Sequence, residues 1–392
     1  MGKFEGKRIR AYNFRLYPSK KQEQALLSHL RISKELWNSL LEYSRKSYSE
    51  SKRFPSKTLL QALVKKSGLY SQTAQQVAQR LHAALFRIGQ MRKAGRTPGF
   101  PRFKGSDRMK ILSYPQFGFR LGKKLKVSPF GEIGIKKHRE IEGRIKTLIL
   151  KRKASGKWFA VFTAEREGLL AKENEGGIVG IDVGLRKFAT LSNGIVVENP
   201  RHFEKWKTRL ALAQRKLHKR KKGSANRLKA KLKVARVHDR VSNARTDFLH
   251  RLSRQLVSEY STIALEKLES RKMSEHRFGR QIRDASWSRF ANMLCYKAEE
   301  AGCKVMFVSP QNTTKECSRC HAFVEKKLSE RTHHCPYCGL ELDRDLNAAR
   351  NILAKATAGM AGNNAWGNEP SRLVDEPGSP LAYGPGAIHR FD

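Results

Sequence analysis

Asp182, Glu266 and Asp345 are the side chains best placed for chemistry, because each lies in or beside an apolar segment where a carboxylate needs a reason. Asp182 falls in GGIVGIDVGLRKFATL, whose Ile178, Val179, Ile181 and Val183 read as a short buried strand bounded by glycines. Glu266 ends a second such strand, STIALEKL. Asp345 opens a helix, DLNAARNILAKA, in which Leu346, Ala349, Ile352 and Leu353 recur at helical spacing. A lone buried carboxylate is costly, so acids in such places are paired, hydrogen-bonded or neutralised by a cation. Taken singly, each also fits a charge at the end of an element, and Asp345 fits a helix cap. Taken together, three hard oxygen ligands suit Mg²⁺ or Mn²⁺, and two such ions roughly 4 Å apart activate water and stabilise the leaving oxygen of a phosphodiester.

A second constellation is softer. Of six cysteines, four fall in CSRCHAFVEKKLSERTHHCPYC as Cys317, Cys320, Cys335 and Cys338. Two Cys-x-x-Cys knuckles of this kind place four thiolates around a structural Zn²⁺, a closed site whose role is folding and docking. His333 and His334 are poorer ligands, and Cys295 and Cys303 read as ordinary core packing.

The elements that must position the acids follow in a definite order. Residues 178 to 198 give three short strands, with Gly184 and the pair Asn193-Gly194 as turns. A long basic helical stretch from Phe203 to about Tyr260 breaks near Gly223 and Ser224 and leads into the Glu266 strand. A helix stopping at Gly302, the strand KVMFVSP, the cysteine segment and the Asp345 helix complete the order. Three meandering strands followed by helix, strand, helix, strand, helix is the order of an RNase H-like α/β fold. There the first and fourth strands are neighbours and the last helix can join them.

Charge sets the partner class. The chain has 80 Lys and Arg against 35 Asp and Glu, a formal charge of +45 spread along its length. A polyanion is the expected ligand. No apolar run reaches the roughly 18 residues of a spanning helix, so no membrane partner is expected. MGKFEGKRIRAYNF lacks the apolar core of a secretory signal, which places the chain in a cytoplasm.

The N-terminal half reads as a clamp. RIRAYNFRLYP alternates like a strand, offering Ile9, Ala11, Phe14 and Leu16 to a core with one slip around Asn13. After Pro18 and Ser19, leucines and Trp37 mark helical faces, and SQTAQQVAQRLHAALFRIGQMRK carries Val77, Leu81, Leu85 and Ile88 on one side. Residues 111 to 165 return to strands, decorated by lysines such as Lys123 and Lys124 that suit phosphate. Phe100 and Phe103 in GRTPGFPRFKG could stack on bases or anchor the loop in a core. The densest basic run has Leu210, Leu217, Leu228 and Leu232 on apolar stripes of two packed helices, with Arg220, Lys221 and Lys222 among its phosphate-facing charges.

GIDVGL, then ALEKLES, then CSRC and CPYCG followed by LDRDLNAARNI, resemble the RuvC-like nuclease and zinc ribbon of TnpB, the transposon-encoded RNA-guided DNA endonuclease family related to type V CRISPR effectors. FRLYPSKKQEQAL, GFPRFK, NARTDFLHRLSRQL and SWSRFANMLCYKAEEAG also look like family segments, so the resemblance runs from about Arg10 to about Ala354. It implies that Asp182, Glu266 and Asp345 are the Mg²⁺-binding catalytic acids; Asp343 could be the ligand in place of Asp345 but reads as a supporting or structural residue, and Glu269 as an exposed neighbour of Glu266. It also implies a guide RNA derived from a transposon end, a double-stranded target DNA, a monomeric ribonucleoprotein, and a bacterial or archaeal, nucleoid-associated setting. The family's helical insertion reads a short motif beside the target, which makes Gln72, Gln75, Gln76 and Arg80 candidate DNA contacts, although a solvated face explains them equally.

The expected architecture is therefore multi-domain α/β. A β-barrel wedge spans 1–18 and 108–172, with a helical recognition insertion at 19–107. An RNase H-like, RuvC nuclease domain spans 173–312 and 343–356, a zinc ribbon is inserted at 313–342, and a weakly structured tail covers 357–392. A competing expectation is an RNA-guided DNA-binding regulator or transposition accessory protein that does not cut; three intact acids argue against it.

Overall fold

A computed structural model describes residues 8–105, 108–167, 174–275, 278–327 and 329–361. The chain divides into two compact units, residues 1–168 and 169–392.

In the first unit, β1 (Arg8–Tyr17) leads directly into α1 (Lys20–Ser51), α2 (Lys57–Leu63) and α3 (Ser71–Lys93). Ser19 starts α1 with a reciprocal capping box: its hydroxyl accepts from the Gln22 N–H while the Gln22 side chain accepts from the Ser19 N–H. Then come β2 (Ile111–Tyr114), β3 (Phe119–Leu121), β4 (Leu125–Val127), β5 (Gly131–Lys136), β6 (Arg144–Arg152) and β7 (Trp158–Arg166). They form one antiparallel seven-stranded sheet in the order β2-β6-β7-β1-β5-β4-β3. Laid flat, six strand spacings would hold its edges roughly 29 Å apart. Yet the edge strands β2 and β3 are joined by residues 115–118 alone, a stretch that spans at most about 18 Å. The sheet therefore curls until it nearly closes, and the Tyr114 hydroxyl donates across the gap to the Ser128 carbonyl at 2.7 Å.

The alternation in β1 holds without a slip, contrary to expectation. Tyr12, Phe14 and Leu16 point into the core, while Ile9 is 70% exposed and Ala11 also faces outward. Tyr12 displaces them because its ring can be buried while its hydroxyl accepts from the Glu142 N–H at 3.2 Å. Val77, Leu81, Leu85 and Ile88 of α3 are buried as its periodicity predicts.

The second unit contains β8 (Gly177–Val183), β9 (Lys187–Leu191), β10 (Val196–Glu198), α4 (His202–His218), α5 (Ala225–Glu259) and β11 (Tyr260–Glu266). It continues with α6 (Ser270–Met273), α7 (Gly279–Ala285), α8 (Trp287–Ala301), β12 (Lys304–Val308), β13 (Thr332–His334), β14 (Glu341–Asp343) and α9 (Arg344–Ala361). The main sheet runs β10-β9-β8-β11-β12, antiparallel from β10 to β8 and parallel from β8 through β11 to β12. Val179, Ile181, Ile263 and Leu265 pack on one face against Leu249, Leu256, Phe290 and Leu294 of α5 and α8. The opposite face is covered by α9, where Ala264 meets Ile352 and Ala356.

Two details of this unit differ from the sequence expectation. Leu228 is 58% exposed, because Leu210 is the one fully buried residue of α4 and the hairpin it forms with α5 has only a narrow seam. The buried face of α9 centres on Asn347, Ala348, Ala349, Asn351, Ile352 and Ala356, with Leu346 and Leu353 at its margins; the helix itself runs to Ala361. The expected tail otherwise lies outside the described residues.

Candidate metal centres

Side chains two apart on a strand share a face. Gly180 and Ala264 are register partners on the face covered by α9, so Asp182 and Glu266, each two residues further on, project to that same face from adjacent parallel strands. Gly180 sets the depth of the packing. A Cβ there would lie 2.2 Å from the Ala349 carbonyl oxygen and 2.7 Å from the Leu353 nitrogen. From that contact, moving two residues along β8 reaches Asp182, and moving one turn back along α9 reaches Asp345. The three acids converge by this geometry from two strand ends and one helix start.

Electrostatics carries the same signature. The Asp182 carboxyl is pushed up to about 8, first by burial, then by the facing charges of Glu266 and Asp345, with Arg344 opposing. Burial also raises Glu266, opposed by a hydrogen bond from Thr313 and by Lys355. Two of the acids lean on partners of their own: Thr313 Oγ1 donates to Glu266 Oε1, and the Arg344 guanidinium lies 3.5 Å from Asp345 Oδ1. Two carboxylates whose charged forms are disfavoured, facing a third, are a donor set that a hard divalent cation fits, since it neutralises them at once. They stand further apart than soft ligands do: among the described residues, only the cysteines form a group of three or more potential ligands whose atoms all lie within 4.8 Å.

Asp343 has separate work. Its Oδ1 accepts from the backbone N–H groups of Asp345 at 2.9 Å and Leu346 at 3.2 Å, capping α9, and its Oδ2 pairs with Lys187 at 2.8 Å. Burial pulls its carboxyl upward, yet Lys187 and the two N–H groups hold it below the usual range. The cap of α9 is thus supplied by Asp343 and not by Asp345. Glu269 is exposed and paired with Lys272.

At the cysteines, Sγ atoms of Cys317 and Cys338 are 3.6 Å apart and those of Cys320 and Cys335 3.5 Å. Thiolates bound tetrahedrally at about 2.3 Å stand roughly 3.7 Å from one another, whereas a disulfide would bring two to about 2.05 Å. The quartet fits zinc. His333 is buried beside Lys326 and takes no part in it.

The candidate nucleic-acid contacts are more scattered. Gln72 uses its side-chain oxygen to accept from the N–H groups of Gln116 at 3.3 Å and Phe117 at 2.9 Å, which pins the β2–β3 turn. Gln76 bonds Gln79, while Gln75 and Arg80 are exposed on α3. Lys123 and Lys124 are exposed at the β3–β4 turn, and Arg220, Lys221 and Lys222 at the α4–α5 turn. Phe100 packs with Tyr48 and Phe54, so it anchors its loop; Phe103 is 44% exposed over the Arg45 guanidinium. Sequence reading missed Gly180, Thr313, Asn347 and Asn351. The signal was present in the two asparagines, four apart on an otherwise apolar helix face.

The family described as a probable transposase, OrfB of IS605, matches residues 160–277; a Cas12f1-like TNB domain matches 287–352 and a helix-turn-helix domain 8–53. That last segment is here a strand and a single helix of 32 residues. A putative RNA-guided DNA endonuclease of Streptomyces pristinaespiralis is 32% identical over 370 residues, 90% of each chain. The putative RNA-guided DNA endonuclease InsQ of Escherichia coli K12 is 28% identical over 91% of this chain and 94% of its own. The TnpB-like protein L79 of Acanthamoeba polyphaga mimivirus is 26% identical over 53% of this chain and 43% of its own. Among solved structures, Cas12f1 in its complex with guide RNA and target DNA superposes with a TM-score of 0.56 at 14% identity, over 88% of this chain and 98% of that one, a likeness of fold. With two relatives matched along nearly their whole length and the ordered domain matches in place, the chain belongs to the TnpB family of transposon-borne OrfB proteins.

Proposed function

We propose that this protein is an RNA-guided, divalent-metal-dependent DNA endonuclease of a transposable element. The observation that carries the reading is the convergence of Asp182, Glu266 and Asp345 on one face of a mixed sheet, with Asp182 held far above the usual carboxylate range first by burial and then by its two neighbours. On this reading the second unit is an RNase H-like, RuvC nuclease with a zinc ribbon between β12 and α9. The curled sheet and helices of the first unit are the wedge and recognition domains, where the exposed residues Gln75 and Arg80 meet the DNA motif beside the target. Relatives named RNA-guided DNA endonucleases, and a Cas12f1 complex containing guide RNA and target DNA, support RNA and DNA as ligands.

Asp182, Glu266 and Asp345 would hold Mg²⁺ or Mn²⁺, which when bound makes water nucleophilic at neutral pH and neutralises charge on the phosphodiester. The chain's own part is to fix the carboxylates before substrate arrives: Gly180 sets the depth of α9, Asp343 caps it, and Thr313 and Arg344 hold the outer two acids. Basic surface binds the phosphate backbone, while base pairing with the guide chooses the sequence. One chain with its guide RNA forms the particle.

The test is cleavage of a duplex that matches the co-purified RNA and carries a randomised flank. Asp182→Ala, Glu266→Ala and Asp345→Ala are each expected to lower the cleavage rate by about 10³-fold or more, with RNA affinity unchanged. Undiminished cutting by any of the three would remove that acid from the centre.

A further inference from the structure

From the end of β12 into the first cysteine knuckle, residues 309–318 run as a strap along α9. Three α9 side chains at intervals of four hold it, and that interval places them on one helix face. Asn347 Oδ1 accepts from the Ser318 N–H at 2.9 Å, and its amide donates to the Glu316 carbonyl at 2.8 Å. Asn351 donates to the carbonyls of Thr313 at 2.9 Å and Glu316 at 2.7 Å, and Lys355 to that of Gln311 at 2.7 Å. Both asparagines are almost fully enclosed, at 0% and 2% exposure. Their amides are consequently committed to the strap, because no water can replace it.

Thr313 is the point where the strap meets the acids. It is 1% exposed, its carbonyl is held by α9, and its hydroxyl donates to Glu266 Oε1. A hydroxyl has a single proton, and the charged carboxylate competes for it better than the Pro310 carbonyl at 3.2 Å. Glu266 ends a strand on a side chain with three torsions, so nothing in β11 alone fixes its carboxylate. Helix α9, which carries Asp345 in its first turn, thereby reaches across the strap and orients the acid at the end of β11.

We infer that Thr313 is a positioning residue: it fixes the Glu266 carboxylate against the Asp345 end of α9, so that the cation site is formed before substrate binds. This rests on the carboxylate-held cation proposed above. The experiment titrates Mn²⁺ by electron paramagnetic resonance into the full-length, zinc-loaded protein without nucleic acid, so that neither guide loading nor turnover enters the readout. Thr313→Val keeps the shape and removes the hydroxyl; it should raise the half-saturating Mn²⁺ concentration roughly 10- to 100-fold. Thr313→Ala, which removes the same hydroxyl without adding a methyl beside the carboxylate, should shift it likewise. Thr313→Ser should stay close to wild type, and zinc content should be unchanged in all three. Wild-type Mn²⁺ affinity in both Val and Ala variants, or a Ser variant as weak as Val, would overturn the assignment. Glu266→Gln is the control for the underlying site: it should lose Mn²⁺ binding, and its failure to do so would refute the carboxylate site itself, whatever the Thr313 variants show.

Discussion

A carboxylate gathered with two others in a half-buried site is a cost to folding that a proton or a bound cation relieves. Asp182 makes that cost measurable, because its carboxyl is pushed up to about 8 from an ordinary 3.8. The sign follows from proton linkage. Below pH 3.8 both folded and unfolded chains hold the proton and no penalty exists; between 3.8 and 8 the unfolded chain has released it and the folded chain has not, so the penalty grows with pH and is complete above 8. Asp182→Asn removes the ionisation. In magnesium-free buffer with zinc retained, the variant should gain stability over the wild type as pH rises from 5 to 8, reaching a few kcal/mol in order of magnitude. Cleavage should be lost throughout. Thermal or urea unfolding across that pH range measures the gap; a gap that stayed constant or shrank would show that Asp182 is not raised.

The elements deliver these residues through packing that is only partly written in local sequence. Hydrophobic period and turn residues announce the strands that carry Asp182 and Glu266, the helix that starts at Asp345 and the two cysteine knuckles, because each is a local pattern. What local pattern does not contain is which face of a strand is pressed against what. Hence the pattern points to Ile9 where β1 buries Tyr12, and to Leu346 and Leu353 where α9 buries Asn347 and Asn351. Gly180 is the same kind of residue: in sequence it is one glycine among several, and only the approach of the α9 backbone gives it meaning. Gly180→Ala should therefore displace α9, lower stability by about 1–3 kcal/mol or more, and slow cleavage by moving Asp345 from its partners. Gly177→Ala, on the same strand with open space around its would-be Cβ, is the matched control and should leave both nearly unchanged. Calorimetry with a single-turnover cleavage assay distinguishes them, and equal effects of the two substitutions would refute the close-approach argument.

For the molecule as a whole, the dominant quantity is a formal charge of +45, which no fold of this size needs and which an RNA partner would neutralise. Binding driven by release of condensed counterions weakens linearly in log salt, with a slope of about −0.7 per phosphate contacted on single strands and −0.9 on duplex. Arg220, Lys221 and Lys222 stand exposed at the turn between α4 and α5, so their charge is available to a phosphate backbone. Replacing all three with alanine should flatten the salt slope for RNA binding by about two to three and weaken affinity alike for RNAs of different sequence. Once RNA is saturating, the cleavage rate should be unchanged, since the three acids and their supports are untouched. Filter binding from low to moderate salt, paired with single-turnover cleavage at saturating guide, reads both terms. An unchanged slope would remove this turn from the RNA surface, whereas a lost cleavage rate at saturation would mean that it acts on the target DNA strand instead.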